Sequence, residues 1–359
     1  MTNFKLVITC SVEQRQERER DVDARRNPMI FTWALAFLLT AGVVLIVGES
    51  PLHVFKILFD SAFGSKENFS YTLFYTTPLL LTGTSVSLAL KAGLFNIGAE
   101  GQLYIGALFS ICWGVFCKSW FSNDTSMFFI MLSWVGGFVA AFLGGACWSS
   151  IAAYLKTQKG THEVISTIML NFIAYALVNW AILNPLKNPE TQNPETLWLA
   201  SSVQIPKAWL QMTPGFPVAM VLCLAVFWFF YSTWGGFKLR ATGENPVAAQ
   251  TNGIHIKKTL FFSFVFSGGL AGLVGFHEVY CNTYRLIDSF SPGYGFSGIA
   301  IALLCRGNKL RFVFSSLLLG ALHKGALDLD IETEKITRDL SSVIEALIVL
   351  ALALNKGKK

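Results

Sequence analysis

Two short polar stretches break into otherwise apolar sequence. Lys91-Ala92-Gly93-Leu94-Phe95-Asn96-Ile97-Gly98-Ala99-Glu100-Gly101-Gln102 sets a charge pair, side-chain amides and three glycines at the head of an apolar run. Ser291-Pro292-Gly293-Tyr294-Gly295-Phe296-Ser297-Gly298 opens another. A charge in hydrocarbon is costly, so an ionisable residue held there is expected to have a function. Helices interrupted in corresponding positions of two halves mark a polar path through a membrane, because unwound backbone exposes N–H and C=O groups at membrane depth. Glu100 leads the candidates, since Asn96 and Gln102 lie beside it in sequence. Asn171 sits inside a third apolar run, Met169-Leu170-Asn171-Phe172. An amide there could bond a neighbouring helix or line a polar path. The candidate pathway residues are Asn96, Glu100, Gln102, Asn171, Gly295 and Ser297, with the alternative that they only shape the breaks.

Other ionisable residues suggest positional roles. Glu163 follows Thr161 at a predicted helix start, where a carboxylate favours the positive end of the dipole. His277 and Glu278 end one apolar run and read as interfacial. His323 and Lys324 end another, from which long side chains reach for the interface. Glu345 lies inside the last run and could pair with a neighbouring helix. The five histidines are scattered, with no H-E-x-x-H pair, nucleophile elbow or phosphate-binding G-x-x-x-x-G-K-[ST]. No catalytic residue, metal site or cofactor is expected in the chain. Gly293-x-Gly295-x-x-Gly298 matches a dinucleotide fingerprint only as bare spacing, without a preceding strand; close helix packing or an unwound segment suits it better. The seven cysteines lack zinc-type spacing and mostly fall in apolar runs, so they read as small buried side chains.

The elements that carry these residues are membrane helices. The chain has 359 residues, 53% hydrophobic and 14% charged, against about 25% charged in soluble domains. Soluble enzymes, disordered chains and nucleic-acid binders are excluded on that balance. A span needs about 20 apolar residues, and ten apolar segments are legible, near 29–48, 71–91, 97–117, 127–150, 163–183, 216–233, 259–279, 294–305, 311–325 and 340–354. The eighth and ninth are short. The fold expected is all-α and polytopic, with about ten transmembrane segments, some broken or short, and a possible inverted repeat joined through the sixth. With both termini cytoplasmic, about two thirds of the 28 Lys and Arg residues fall inside, as the positive-inside rule requires. The domains are then a cytoplasmic tail (1–27), a transmembrane region (28–354) and a short cytoplasmic tail (355–359).

Two loops carry their own signals. The outer loop 184–215 holds five prolines and could pack over the external mouth or meet a partner. The inner loop 234–258 is basic, and Asn245, Pro246 and Gly253 are placed to cap, start and stop a helix. A two-turn helix near 246–252 is predicted, with Ala248 and Ala249 on its surface, small enough to let it press into another protein's groove. The plain alternative is a connector.

Five segments, in order, resemble one family. Thr82 to Gln102 is similar to the signature of bacterial ABC-importer permeases of the simple-sugar and nucleoside type, a group that includes ribose and branched-chain amino-acid permeases. Gly160 to Asn171 resembles its next motif and Leu239 to Ile254 its coupling segment. Ser267-Gly-Gly-Leu-Ala-Gly272 and Gly295 to Leu304 complete the set. The resemblance implies a permease subunit of the bacterial inner membrane that takes a small polar solute into the cytoplasm by alternating access. A nucleoside is the expected solute, with riboflavin or a simple sugar as alternatives. It implies a cytoplasmic ABC ATPase that uses ATP and Mg, a second permease subunit, similar but not identical, and an extracytoplasmic binding protein or lipoprotein. Arg240, Glu244, Asn245, Pro246, Ala248, Ala249 and Gly253 fall on the ATPase-coupling segment. The chain departs from the family in its long charged N-terminal tail and in Cys305, where Gly is common. A reading of a different class is an ion-gradient-driven transporter with Glu100 or Glu345 as relay. Partners besides these are membrane lipid and no nucleic acid.

Overall fold

A computed structural model describes residues 37–120, 126–207, 210, 212–305, 308–333, 335–337, 340, 342–344, 346 and 347. Its helices are α1 (Phe37–Val47), α2 (Pro51–Phe63), α3 (Lys66–Lys91), α4 (Ala99–Trp120), α5 (Met127–Lys159) and α6 (Glu163–Leu183). They continue as α7 (Gly215–Ser232), α8 (Trp234–Glu244), α9 (Pro246–Thr251), α10 (Ile256–His277), α11 (Tyr294–Cys305) and α12 (Lys309–Glu332). A π-helical turn, Glu278–Asn282, extends α10. The chain forms two compact units, one over Ser61–Lys324 and one over Met1–Asp60 with Gly325–Lys359.

The all-α polytopic expectation, with broken and short segments, holds. Among the described residues, seven helices are long and apolar enough to cross a bilayer, or eight if α1 and α2, bent by 114°, count as one. Between the first two segments, Pro51 starts α2 and Ser65 caps α3, its side chain accepting from the Asn68 N–H. The eighth segment is α11, only 12 residues. At 1.5 Å per residue it is about 18 Å long, little more than half the hydrocarbon thickness. The tenth segment, with Glu345, falls largely outside the described residues.

In the larger unit, α3 is buried along most of its length. Such a helix has no water to satisfy its polar groups, and its hydroxyls turn back on its own backbone. Thr76, Thr77, Thr82 and Thr84 donate to the carbonyls four residues earlier at 2.6–3.0 Å. Helices α11, α10 and α7 pack on it, and α4, α5 and α10 pack on one another through small residues. At Gly272 a Cβ would strike the Ala141 carbonyl of α5, so glycine is what lets these backbones approach.

Contacts between the loops gather in two groups. In one, Gly93 after α3 touches Gly243 of α8; a Cβ on Gly93 would sit 3.2 Å from the Gly243 Cα. The same group brings Arg240 of α8 and Lys309 of α12 over one ring, Tyr231 of α7. In the other, the Lys118 ammonium donates to the Trp198 carbonyl (3.0 Å) and Arg285 pairs with Glu195 (3.2 Å).

The segment 186–207 is stitched, not loose. Thr196 N–H donates to Leu286 O, Leu199 N–H to Tyr284 O, and Ile205 N–H to Tyr280 O, at 2.8–3.0 Å. The Arg285 guanidinium also stands 4.0 Å from the Trp198 ring centroid.

Candidate functional site

The two sequence breaks, nearly 200 positions apart, meet. The break after α3 ends at α4, and the second break ends at α11. Glu100, in the first turn of α4, accepts the Gly295 N–H of α11 at 2.6 Å. The half-length of α11 explains the need. Tyr294 and Gly295 at its N-terminus are buried, so their N–H groups must find partners within the protein. Ser291 Oγ accepts from the Gly293 and Tyr294 N–H groups (both 3.2 Å), and the Gly293 carbonyl takes those of Phe296 and Ser297. Glu100 takes Gly295, placing a carboxylate at the positive end of the helix dipole. Gly295 must be glycine for this approach, since a Cβ would overlap the Glu100 backbone.

The start of α4 is held the same way by a third helix. Asn171 of α6 accepts the Gly101 N–H through Oδ1 (2.9 Å) and donates through Nδ2 to the Ile97 carbonyl (3.1 Å). Asn171 thus bonds a neighbouring helix, one of its two readings. One helix terminus thus supports the next: α6 clamps α4, and α4 caps α11.

Asn96 and Gln102 close the break on its other side. Their amides pair reciprocally, at 2.9 and 3.0 Å, and Asn96 also donates to Ser267 Oγ of α10 (2.9 Å). Ser267 and Ser85 of α3 exchange hydroxyl-to-carbonyl bonds of 2.6 and 2.8 Å. Asn96, Gln102, Glu100, Ser85 and Ser267 are all buried. Asn96, Glu100, Gln102 and Asn171 thus make hydrogen bonds to the backbone of the breaks, to each other and to Ser267. Ser297 is only partly buried, and its hydroxyl makes no hydrogen bond among the described residues. Ser85, Ser267 and Ser291 belong to this network, though sequence alone did not single them out. Hydroxyls beside glycines (Ser267-Gly268, Ser291-Pro292-Gly293) were their only signal.

Aromatic rings flank the braced breaks. Tyr104 of α4 lies 4.6 Å from Phe290 and 4.8 Å from Tyr175 of α6, centroid to centroid. On the α11 side, His323 meets Tyr75 at 5.2 Å and Tyr294 at 5.7 Å.

The predicted short helix forms as α9. Asn245 Oδ1 accepts the Ala248 N–H (3.0 Å), Pro246 takes the first position, and Gly253 closes the helix at φ +79°. One surface assignment is corrected. Ala248 is exposed, but Ala249 is only 4% exposed and turns into its own chain, while Val247 is 72% exposed. On so short a helix one face must rest on the protein, and Ala249 is on it. Glu244 is exposed, and Arg240 leans on Tyr231, not along the outer face of α9.

Several positional readings change. Glu163 does open α6, and its carboxylate accepts from Lys156 Nζ at 2.6 Å. His277 and Glu278 are not interfacial: α10 runs on into the π turn and buries both, with Asn282 Nδ2 donating to Glu278 Oε2 (2.7 Å). His323 and Lys324 do not end a span, because α12 continues to Glu332. Lys324 is buried, its ammonium 5.4 Å from the Tyr71 ring centroid.

Comparison with known proteins gives the same answer along nearly the whole chain. Residues 68–353 match the family described as branched-chain amino acid transport system / permease component. The chain is 30% identical over 330 residues to the guanosine ABC transporter permease protein NupP of Bacillus subtilis, covering 89% of this chain and 91% of the relative. It is 31% identical over 330 residues to the nucleoside ABC transporter permease protein NupB of Lactococcus lactis, covering 88% and 87%. The glucose ABC transporter permease protein TsgB13 of Haloferax volcanii is 29% identical over 331 residues, covering 89% and 84%.

Proposed function

Because the chain belongs to the branched-chain amino acid transport system permease family, as a multi-pass permease of an ABC importer in the plasma membrane, we propose that it carries a nucleoside into the cytoplasm. Two relatives matched over most of their length are named for guanosine and nucleoside transport. The single observation that carries the mechanism is the route from α9 to the breaks. The exposed, capped α9 follows α8 directly, and α8 presses Gly243 against Gly93 at the first break. The break in turn holds α11 through Glu100. A push on α9 is thereby delivered to the two helix termini at the breaks.

In this reading an ABC ATPase docks on α9, with Val247 and Ala248 entering its groove and Glu244, Asn245, Pro246 and Gly253 shaping the helix. ATP and Mg act in that partner and not in this chain. A second, similar permease completes the path, and an external binding protein or lipoprotein delivers solute to the end closed by residues 184–207. Both termini lie in the cytoplasm. ATP binding draws the ATPases together, the α9 helices move, and the cavity changes the side it faces. The rings of Tyr104, Tyr175 and Phe290 beside the breaks suit a flat heterocycle, which aromatic faces can stack on.

The test is uptake into proteoliposomes by the whole complex, with ATP inside and labelled guanosine, other nucleosides, riboflavin, ribose and glucose outside. ATP-dependent uptake of nucleosides, lost in Val247→Asp with the complex still assembled in detergent, is expected. Uptake of glucose instead, which the Haloferax relative makes the second reading, would overturn the solute. Uptake that ignores ATP and follows a proton gradient would overturn the importer.

A further inference from the structure

Tyr231, at the C-terminal end of α7, is 44% exposed, yet it gathers two cations from distant segments. The Arg240 guanidinium lies 5.2 Å from its ring centroid and the Lys309 ammonium 5.8 Å. Neither cation forms an ion pair among the described residues. Arg240 Nε is moreover buried with no hydrogen-bond partner there. Two cations gathered on one ring without a carboxylate among the described residues concentrate positive charge beside an exposed surface, which attracts an anion from outside the chain.

The surroundings say what kind of anion. Trp228 (61% exposed), Trp234 (67%) and Phe237 flank Tyr231 along α7 and α8 and expose their rings. Trp234 and Phe237 stack at 5.1 Å, and Lys238 stands 5.5 Å from the Trp234 centroid. Exposed Trp and Tyr beside Lys and Arg make the belt that settles at the headgroup level of a bilayer. The rim is also on the Lys- and Arg-rich end, which meets the anionic leaflet. A soluble anion would find the cations but would leave the aromatic belt bare. A phospholipid satisfies both, with its phosphate on Arg240 and Lys309 and its chains along Trp228.

We propose that Arg240, Lys309 and Tyr231 form a binding site for the phosphate of an anionic phospholipid on the cytoplasmic rim. Arg240 sits one turn before the end of α8, so an occupied site would pin α8 to the start of α12 and hold the base from which α9 projects.

The test uses the assembled complex purified in mild detergent. Native mass spectrometry follows retention of phosphatidylglycerol against phosphatidylcholine, and thermal unfolding is read with each lipid or with inorganic phosphate alone. Wild type should retain phosphatidylglycerol preferentially and unfold at higher temperature with it. Each cation near an anionic headgroup contributes about 1 kcal/mol, so Arg240→Gln with Lys309→Gln should lower affinity roughly thirtyfold. Lys257→Gln, which removes a charge from α10 outside the site, should change it little. Equal retention of the two lipids by wild type, an arm that needs no variant to fold, would overturn the site. The same stabilisation by inorganic phosphate alone would overturn the lipid in favour of a free anion. Unchanged lipid retention with loss of the ATPase from the double variant would overturn it in favour of a protein carboxylate.

Discussion

If Glu100 serves to cap α11, removing its acceptor and removing its charge must have different consequences. Glu100→Ala takes the acceptor from the Gly295 N–H, a bond of 2.6 Å in a site where Glu100 is 2% exposed. A buried donor left without a partner costs about 1–3 kcal/mol, and a charged acceptor raises that. Glu100→Gln keeps a carbonyl oxygen of the same reach. It loses only the charge–dipole part, about 0.3–1 kcal/mol at exposed sites and up to about 2 in enclosed ones. Thermal unfolding of the assembled complex in nanodiscs, alongside ATP-driven guanosine uptake, separates the cases. The alanine variant should unfold at clearly lower temperature and lose most uptake. The glutamine variant should unfold between it and wild type and keep most uptake. A glutamine variant with wild-type stability but no uptake would refute the cap, because the charge would then act on solute or proton and not on the α11 N-terminus.

Further outcomes follow from the same geometry. Gly295→Ala should resemble Glu100→Ala in stability and uptake, since its Cβ overlaps the Glu100 backbone; an undisturbed variant would mean that the two breaks do not touch. On α9, Val247→Asp should abolish solute-stimulated ATP hydrolysis without loss of stability, whereas Ala249→Arg should lower the unfolding temperature first, because Ala249 faces inward. Equal behaviour of the two would argue against the assigned faces. Gly243→Ala drives a methyl into the Lys91 carbonyl, and ATP hydrolysis measured with and without solute should show the two uncoupled. Arg285→Ala strips Glu195, 3% exposed, of its ion pair at about 1–3 kcal/mol. Protease should then cut within 186–207 several times faster, and an unchanged rate would show that the backbone bonds alone hold that loop.

Much of this was legible because it is local. The α9 helix follows from Asn245, Pro246 and Gly253 alone, since caps act within one turn. The apolar runs reveal α3 to α7 and α10 because no other segment satisfies its backbone in lipid. Both helix breaks announce themselves as glycine and polar residues where apolar ones belong.

What escaped depends on where helices stop and on what they meet. Lengths were misjudged where polar residues continue a helix: α12 runs past His323 and Lys324, and the π turn carries α10 past His277, burying residues that looked interfacial. Nothing local distinguishes Ala248 from Ala249, because the buried face of α9 is chosen by the chain beneath it. Composition and spacing by themselves determine that the chain spans a membrane, where it breaks, and that it bears a capped helix on its basic end. Only the tertiary structure decides that Glu100 reaches Gly295 and that Asn171 reaches Gly101. Those bonds join positions 195 and 70 residues apart, and whether a buried amide or carboxylate faces a path or a bare helix terminus depends on which terminus packing brings within 3 Å.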